Sequence, residues 1–162
     1  GLVLLFANQK IVNNGSNNPN QLQEKGRYQQ QTTAISNNLG QDPIEINKSQ
    51  TIKGLQLTVD QITYKPTKTI IVLKAKNLTS ESMHLMAQQK SSLVDQNGTN
   101  YKIDPFDSDN NLTGNLPANS TEYSNLVFET VDKNAKELTY TLSVLGNSSG
   151  DSWEQSIKFK VD

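Results

Sequence analysis

Residues 93–101, LVDQNGTNY, decide the fold class: the apolar pair Leu93-Val94, then Asn97-Gly98, then the aromatic Tyr101. Asn-Gly supplies the two positive-φ residues of a type I′ turn. The stretch is therefore expected to be a tight hairpin between antiparallel strands, and the domain to be all-β.

Outward from this hairpin the same signal recurs. Leu55, Leu57 and Val59 alternate after Gly54, followed by Ile62 and Tyr64, which is the period of a half-buried strand ended by Pro66. Thr69–Lys76 (TIIVLKAK) is the strongest strand in the chain, with Ile71, Leu73 and Ala75 on one face and Lys74 and Lys76 on the other. Short strands are expected at Met83–Met86 and in the hairpin arms Ser91–Val94 and Asn100–Ile103. Further ones are expected at Glu122–Glu129, with Tyr123, Leu126 and Phe128 as core members, at Leu138–Leu145 and at Trp153–Val161. A polar loop is expected from Asp104-Pro105 through Asn115. Seven or eight short strands separated by polar turns form the pattern of a two-sheet antiparallel β-sandwich.

Of the 162 residues only 33% are hydrophobic, a low share for a globular chain of this length. The polar excess is concentrated near the start, where Asn13, Asn14, Asn17, Asn18, Asn20, Gln21, Gln23, Gln29, Gln30, Gln31, Asn37 and Asn38 crowd out any apolar period. Such a segment buries too little to offset its ordering entropy. The expected organisation is an apolar segment at 1–11, an Asn/Gln-rich spacer at 12–48 and the sandwich at 49–162. Leu2–Ala7 is apolar but far short of the ~20 residues that span a bilayer, and is read as the remnant of a membrane anchor or signal segment. Two other readings are a buried strand and a strand that completes a neighbouring copy's sheet.

Cysteine is absent, which removes disulfides, thiolate metal sites and thiol nucleophiles. The net charge of -1, from fifteen basic and sixteen acidic groups interspersed, argues against a nucleic-acid partner. Gly146–Gly150 (GNSSG) matches the Gly-x-Ser-x-Gly elbow of hydrolases, but it lies between two strand-like segments and the single histidine, His84, precedes it; a hairpin loop explains it better. His84, between Met83 and Leu85, is expected to be a partly buried structural histidine. No cofactor is expected.

Two surface sets remain as candidate sites. Lys65, Lys68, Lys74 and Lys76 bracket the Pro66 turn and form a potential basic strip for an anionic cell-envelope polymer or membrane surface, against the ordinary reading of a solvated strand face. Asp104, Asp107 and Asp109 resemble the start of a calcium loop, but Leu112 and Ala118 stand where an EF-hand needs Gly and Glu; a weak cation site or a plain acidic turn is left. Seven Asn-x-Ser/Thr triplets, at Asn14, Asn47, Asn77, Asn97, Asn111, Asn119 and Asn147, mark loops.

Three motifs carry a family resemblance: the opening strand GLQLTV at Gly54, an apolar strand ending in Asn and a hydroxyl residue (IIVLKAKNLT), and the hairpin with its closing Tyr (LVDQNGTNY). A Leu-Pro turn then leads to an apolar-x-Phe strand (LPANSTEYSNLVFE). From about Gly54 to Val161 the chain resembles the immunoglobulin-like domain of unknown function of Gram-positive cell-surface lipoproteins and single-pass membrane proteins, sometimes labelled telomeric repeat-binding factor 2-like. The resemblance implies an exported, membrane-anchored domain behind a low-complexity spacer and no catalytic residues. The function expected is a non-enzymatic extracellular module of the bacterial cell envelope that binds a protein or an anionic envelope polymer. The alternatives are a self-assembling, homo-oligomeric surface subunit and a cation-dependent enzyme using the Asp104–Asp109 loop.

Overall fold

A computed structural model describes residues 41–146 and 151–162. The chain divides into Gly1–Gly40 and Gln41–Asp162, and the second unit is the folded domain described below. The expected membrane remnant, most of the spacer and the Ser-containing centre of the Gly146–Gly150 loop lie outside the described residues.

Ten strands follow in order: β1 (Ile44–Ile52), β2 (Leu55–Tyr64), β3 (Thr69–Asn77), β4 (Met83–Met86), β5 (Ser91–Asp95), β6 (Asn100–Tyr101), β7 (Thr113–Leu116), β8 (Thr121–Phe128), β9 (Glu137–Gly146) and β10 (Ser152–Lys160). All pairings are antiparallel, and no helix occurs among the described residues. One sheet has the order β1-β2-β3-β8. In the other, β9 is central: β10 runs along one side, while the opposite side is shared by β5 at Leu138–Leu142 and β4 at Val144–Gly146. β6 extends β5, and β7 extends β4. The result is an all-β structure of two antiparallel sheets, arranged as a β-sandwich.

Two strands exceed the count expected from the sequence. β7 (TGNL) falls in the expected polar loop, because its four residues carry no alternation of their own and pair through β4. β1 runs across the boundary expected at residue 49. Its polar sequence is tolerated because it is an edge strand with a bulge between Glu45 and Lys48, where Asn47 takes φ 50°.

The core is built from the inward rows of both sheets. Leu55, Leu57, Val59, Ile62, Ile71, Leu73, Ala75, Leu126 and Phe128 face Met83, Leu85, Leu93, Tyr101, Leu138, Tyr140, Leu142, Val144, Ile157 and Phe159. In β2 the inward positions change from odd to even across a bulge between Val59 and Gln61, and the sequence shows the same change of parity. The Phe128 and Tyr140 rings meet edge to face across the core at 6.3 Å. Trp153 is half-buried at the margin of this core. The fully buried Gln155 of β10 ties the sheets together by donating to the carbonyls of Gln50 (3.1 Å) and Leu55 (2.9 Å).

Asn77, at the end of β3, is likewise fully buried. Its amide group donates to the carbonyls of Glu81 (2.7 Å), Leu116 (3.2 Å) and Pro117 (3.2 Å), and its oxygen accepts from the amide (2.9 Å) and hydroxyl (2.8 Å) of Thr79. One side chain therefore holds the crossing from the first sheet into the second. It also fixes Thr79 against Gly54, where an added Cβ would come 2.3 Å from Thr79 Cγ2. Gly54 (φ 80°) and Lys53 (φ 49°) form the turn between the paired ends Ile52 and Leu55, which is type I′ geometry.

The hairpin at Asn97-Gly98 is present, but its turn differs from expectation. Gly98 has φ 85°, whereas Asn97 does not have positive φ; the Gly98 amide donates to Asp95 O (3.0 Å) and the Asp95 amide to Thr99 O (3.1 Å). This is a type I turn followed by a left-handed glycine, a three-residue loop. The cause is Asp95, whose carboxylate accepts from the amides of Asn97 (2.8 Å) and Thr99 (3.0 Å) and from the Tyr101 hydroxyl (2.9 Å). Partial burial pushes the Asp95 carboxyl up, but the hydrogen bonds from Thr99, Tyr101 and Asn97 outweigh it and hold the group below the usual carboxylate range.

Asn77→Ala leaves several buried groups without partners, so it should cost about 2–4 kcal/mol of unfolding free energy, read by urea denaturation; a loss below about 1 kcal/mol would contradict the role assigned to it. For Asp95, whose carboxyl is lowered by folding, the stabilisation is complete above the unfolded value of about 4 and is lost as pH falls through the lowered folded value. Thermal melting should therefore show Asp95→Asn less stable than the parent at pH 7, with the difference shrinking in acid. A difference that is constant across that range would refute the assignment.

Candidate interaction surface

Strand β3 presents Ile70, Val72, Lys74 and Lys76 on the outer face of the four-stranded sheet, opposite its buried row. Register sets their neighbours: Lys74 lies between Thr58 and Tyr123, and Lys76 between Gln56 and Thr121. The Lys74 ammonium stands 5.8 Å from the centroid of the Tyr123 ring, within cation–π range. Among the described residues neither Lys74 nor Lys76 forms an ion pair. Tyr123, expected in the core, is 50% exposed. The period-2 rule could have placed it, since counting back from Phe128 and Leu126 puts Ser124 inside and Tyr123 outside.

Lys65 and Lys68 occupy the β2–β3 turn, where the Lys65 amide donates to the Lys68 carbonyl (2.9 Å). Six residues of extended chain, about 20 Å, separate Lys68 from Lys74. The four lysines thus form two pairs rather than one row. Lys68 is also partly neutralised, because its ammonium lies 3.3 Å from Asp107 Oδ2.

That ion pair joins the two sequence-derived sets, since Asp107 belongs to the acidic loop. The loop lies along the free edge of β8. Asp104 N donates to Val127 O (2.7 Å), Asp109 N to Asn125 O (2.9 Å), and Glu129 N to Lys102 O (2.9 Å). The carboxylates serve the same purpose: Asp104 Oδ1 accepts from the amides of Phe106 and Asp107, and Asp109 Oδ2 accepts from the amide and side chain of Asn125. Among the described residues, no three His, Asp or Glu side chains gather as a metal-holding group. The loop protects a sheet edge, and its three acids do not converge on one point.

Lys68, Asp104 and Asp107 border an open groove of about 550 Å³ whose other walls are Thr67, Lys102, Ile103, Pro105, Val127, Phe128 and Glu129. Phe106 stands beside this groove, 96% exposed. Neither the groove nor Phe106 was singled out from the sequence, where DPFD reads as a turn.

The remaining expectations resolve simply. His84 is exposed, because the inward positions of β4 are Met83 and Leu85. Asn77, one of the seven triplets, is buried and closed to modification. Burial pushes the Tyr140 hydroxyl far up, and it pairs with Ser91 Oγ at 2.7 Å in a structural contact. No described helix is long and apolar enough to cross a membrane. Nothing in this geometry points to catalysis.

A model of a family of unknown function, DUF5643, matches residues 41–161. No curated protein matches the chain. Among solved structures, a conserved domain protein from Bacillus anthracis aligns with TM-score 0.53 and 12% identity, over 75% of this chain and 49% of its own. A conserved hypothetical protein from the same species aligns with TM-score 0.48 and 18% identity, over 72% and 96% of the two chains. A candidate lipoprotein from Bacillus subtilis aligns with TM-score 0.48 and 19% identity, over 72% and 38%. At such identities the first of these likenesses speaks for the fold alone.

Because the acidic loop is committed to the β8 edge, millimolar calcium should leave the melting temperature unchanged. Asp109→Ala should destabilise the domain by about 1–3 kcal/mol with or without the ion. A calcium-dependent rise of several degrees that Asp109→Ala abolishes would restore the cation site.

Proposed function

Since the chain belongs to a family of unknown function, DUF5643, its role is read from its own surface, and we propose that the domain is a non-enzymatic extracellular module of the cell envelope. In this reading residues before the sandwich tether it to the membrane, as the resemblance to immunoglobulin-like lipoprotein domains implies. The sandwich then holds an anionic envelope polymer on the outer face of the β1-β2-β3-β8 sheet.

One observation carries the reading: Lys74 and Lys76 stand on the outer face of the sheet, without an ion-pair partner among the described residues and next to a half-exposed Tyr123. The Cα atoms of alternate residues of a strand lie about 7 Å apart, so the two lysine side chains leave the sheet in a row set by the pleat and not by a flexible loop. An extended anionic chain can follow such a row, with its apolar parts against Tyr123 and its charges at the lysines. The Lys65 and Lys68 pair contributes less, because Asp107 already neutralises part of it.

The test is binding to isolated anionic wall material at low and raised salt. The parent should bind more weakly as salt rises, and Lys74→Gln with Lys76→Gln should lose at least about tenfold in affinity, more than Lys65→Gln with Lys68→Gln. Binding that is indifferent to salt, or equal losses from the two pairs, would overturn the assignment of the site.

A further inference from the structure

Phe106 is the most exposed large apolar side chain of the domain, and its display is rigid. Its amide is held by Asp104 Oδ1 (2.9 Å), and the Ser108 amide closes the turn on Asp104 O (3.1 Å). Ser108 Oγ donates to Asp104 O (2.6 Å) and accepts from Val127 N (2.8 Å); Gln88 holds the Pro105 carbonyl, and Lys68 holds Asp107. The loop is thus fixed on both sides of Phe106 while the residue itself is 96% exposed. An isolated surface phenylalanine needs no explanation, but one on a clamped turn next to a groove of about 550 Å³ is placed for contact.

We propose that Phe106 and this groove form a two-fold interface between two copies of the chain, each Phe106 entering the groove of its partner. The proposal goes beyond polymer binding and uses a different face. A second copy is the occupant favoured by two features. Knob and groove are adjacent on one patch, so a two-fold rotation places each against the other, as an isologous interface requires. The groove also carries both signs of charge, Lys68 and Lys102 with Asp104, Asp107 and Glu129, and Lys102 has no ion-pair partner among the described residues. Such a patch is complementary to itself, whereas its acidic groups would oppose an anionic membrane surface. With a single aromatic anchor on an open groove, the dimer is weak.

The experiment compares the 162-residue parent with Phe106→Ser, Lys102→Glu and Phe106→Trp by sedimentation equilibrium up to about 1 mM. The parent should approach twice the monomer mass. Phe106→Ser should weaken association by about tenfold or more, and Lys102→Glu should weaken it as well. Phe106→Ser should melt with the parent because the residue is 96% exposed, and Lys102→Glu because it breaks no ion pair among the described residues. Phe106→Trp should shift its emission to the blue as concentration rises. A monomeric parent throughout the range, or undiminished association of Phe106→Ser, would overturn the proposal. So would a Phe106→Trp shift that needs lipid vesicles and not protein concentration.

Discussion

The buried carboxamide of Asn77 is the contact on which the rest of this sandwich depends. A two-sheet fold must carry its chain from one sheet to the other without leaving backbone groups unpaired where no water reaches them. Asn77 meets that demand at one point, with three donated and two accepted hydrogen bonds, and it fixes Thr79 where the chain turns toward β4. Thr79 in turn rests on the Lys53-Gly54 turn, and the Leu78 amide donates to Gly54 O at 2.8 Å. Only a residue without Cβ fits at Gly54, for reasons of both φ and space. The first hairpin, the sheet crossing and the Leu116-Pro117 turn are thereby locked to one another.

This explains why the motifs that carry the family resemblance look structural. The Gly that opens GLQLTV and the Asn-Leu-Thr that closes IIVLKAKNLT are distant in sequence and touch in space. As an Asn-x-Thr triplet Asn77 reads like a surface loop, and nothing local distinguishes it from Asn97 or Asn119, both exposed. Burial of a polar residue is a tertiary fact, set by which carbonyls the fold brings to it. The inward rows were legible because period 2 is a local property, and Leu57, Val59, Ile71, Leu73, Leu93, Phe128, Leu142 and Phe159 are all buried. Tyr123 was misplaced because residue type was weighed above parity. The type I′ turn was expected at Asn97-Gly98 and occurs at Lys53-Gly54, because the Asp95 carboxylate selects a different turn and a lysine can adopt positive φ when the strand ends are already paired. β1 was missed because its stability comes from β2 and from the Gln155 bridge, not from its own sequence.

The candidate surface was partly legible for the same reason. Alternation puts Lys74 and Lys76 together on one face, but it says nothing about Lys68, whose partner Asp107 lies thirty-nine residues further along. That ion pair converts two apparently opposite patches into one mixed-charge groove. The acids of the loop serve the β8 edge, and the apolar Phe106 is left exposed at its tip. The fold thus carries two separate surfaces, a basic sheet face and a mixed-charge groove beside Phe106, and each depends on the sheet geometry that the Asn77 contacts maintain.

The interlock between Gly54 and Thr79 is tested most directly by a double-mutant cycle with Gly54→Ala and Thr79→Ser. The serine removes Cγ2, the atom 2.3 Å from the added Cβ, and keeps the hydroxyl bonded to Asn77. Gly54→Ala alone should cost about 3 kcal/mol or more, from overpacking and from strained φ together. In the Thr79→Ser background it should cost about 1 kcal/mol, leaving a coupling of about 2 kcal/mol. Additive effects, with no recovery in the double variant, would contradict the account.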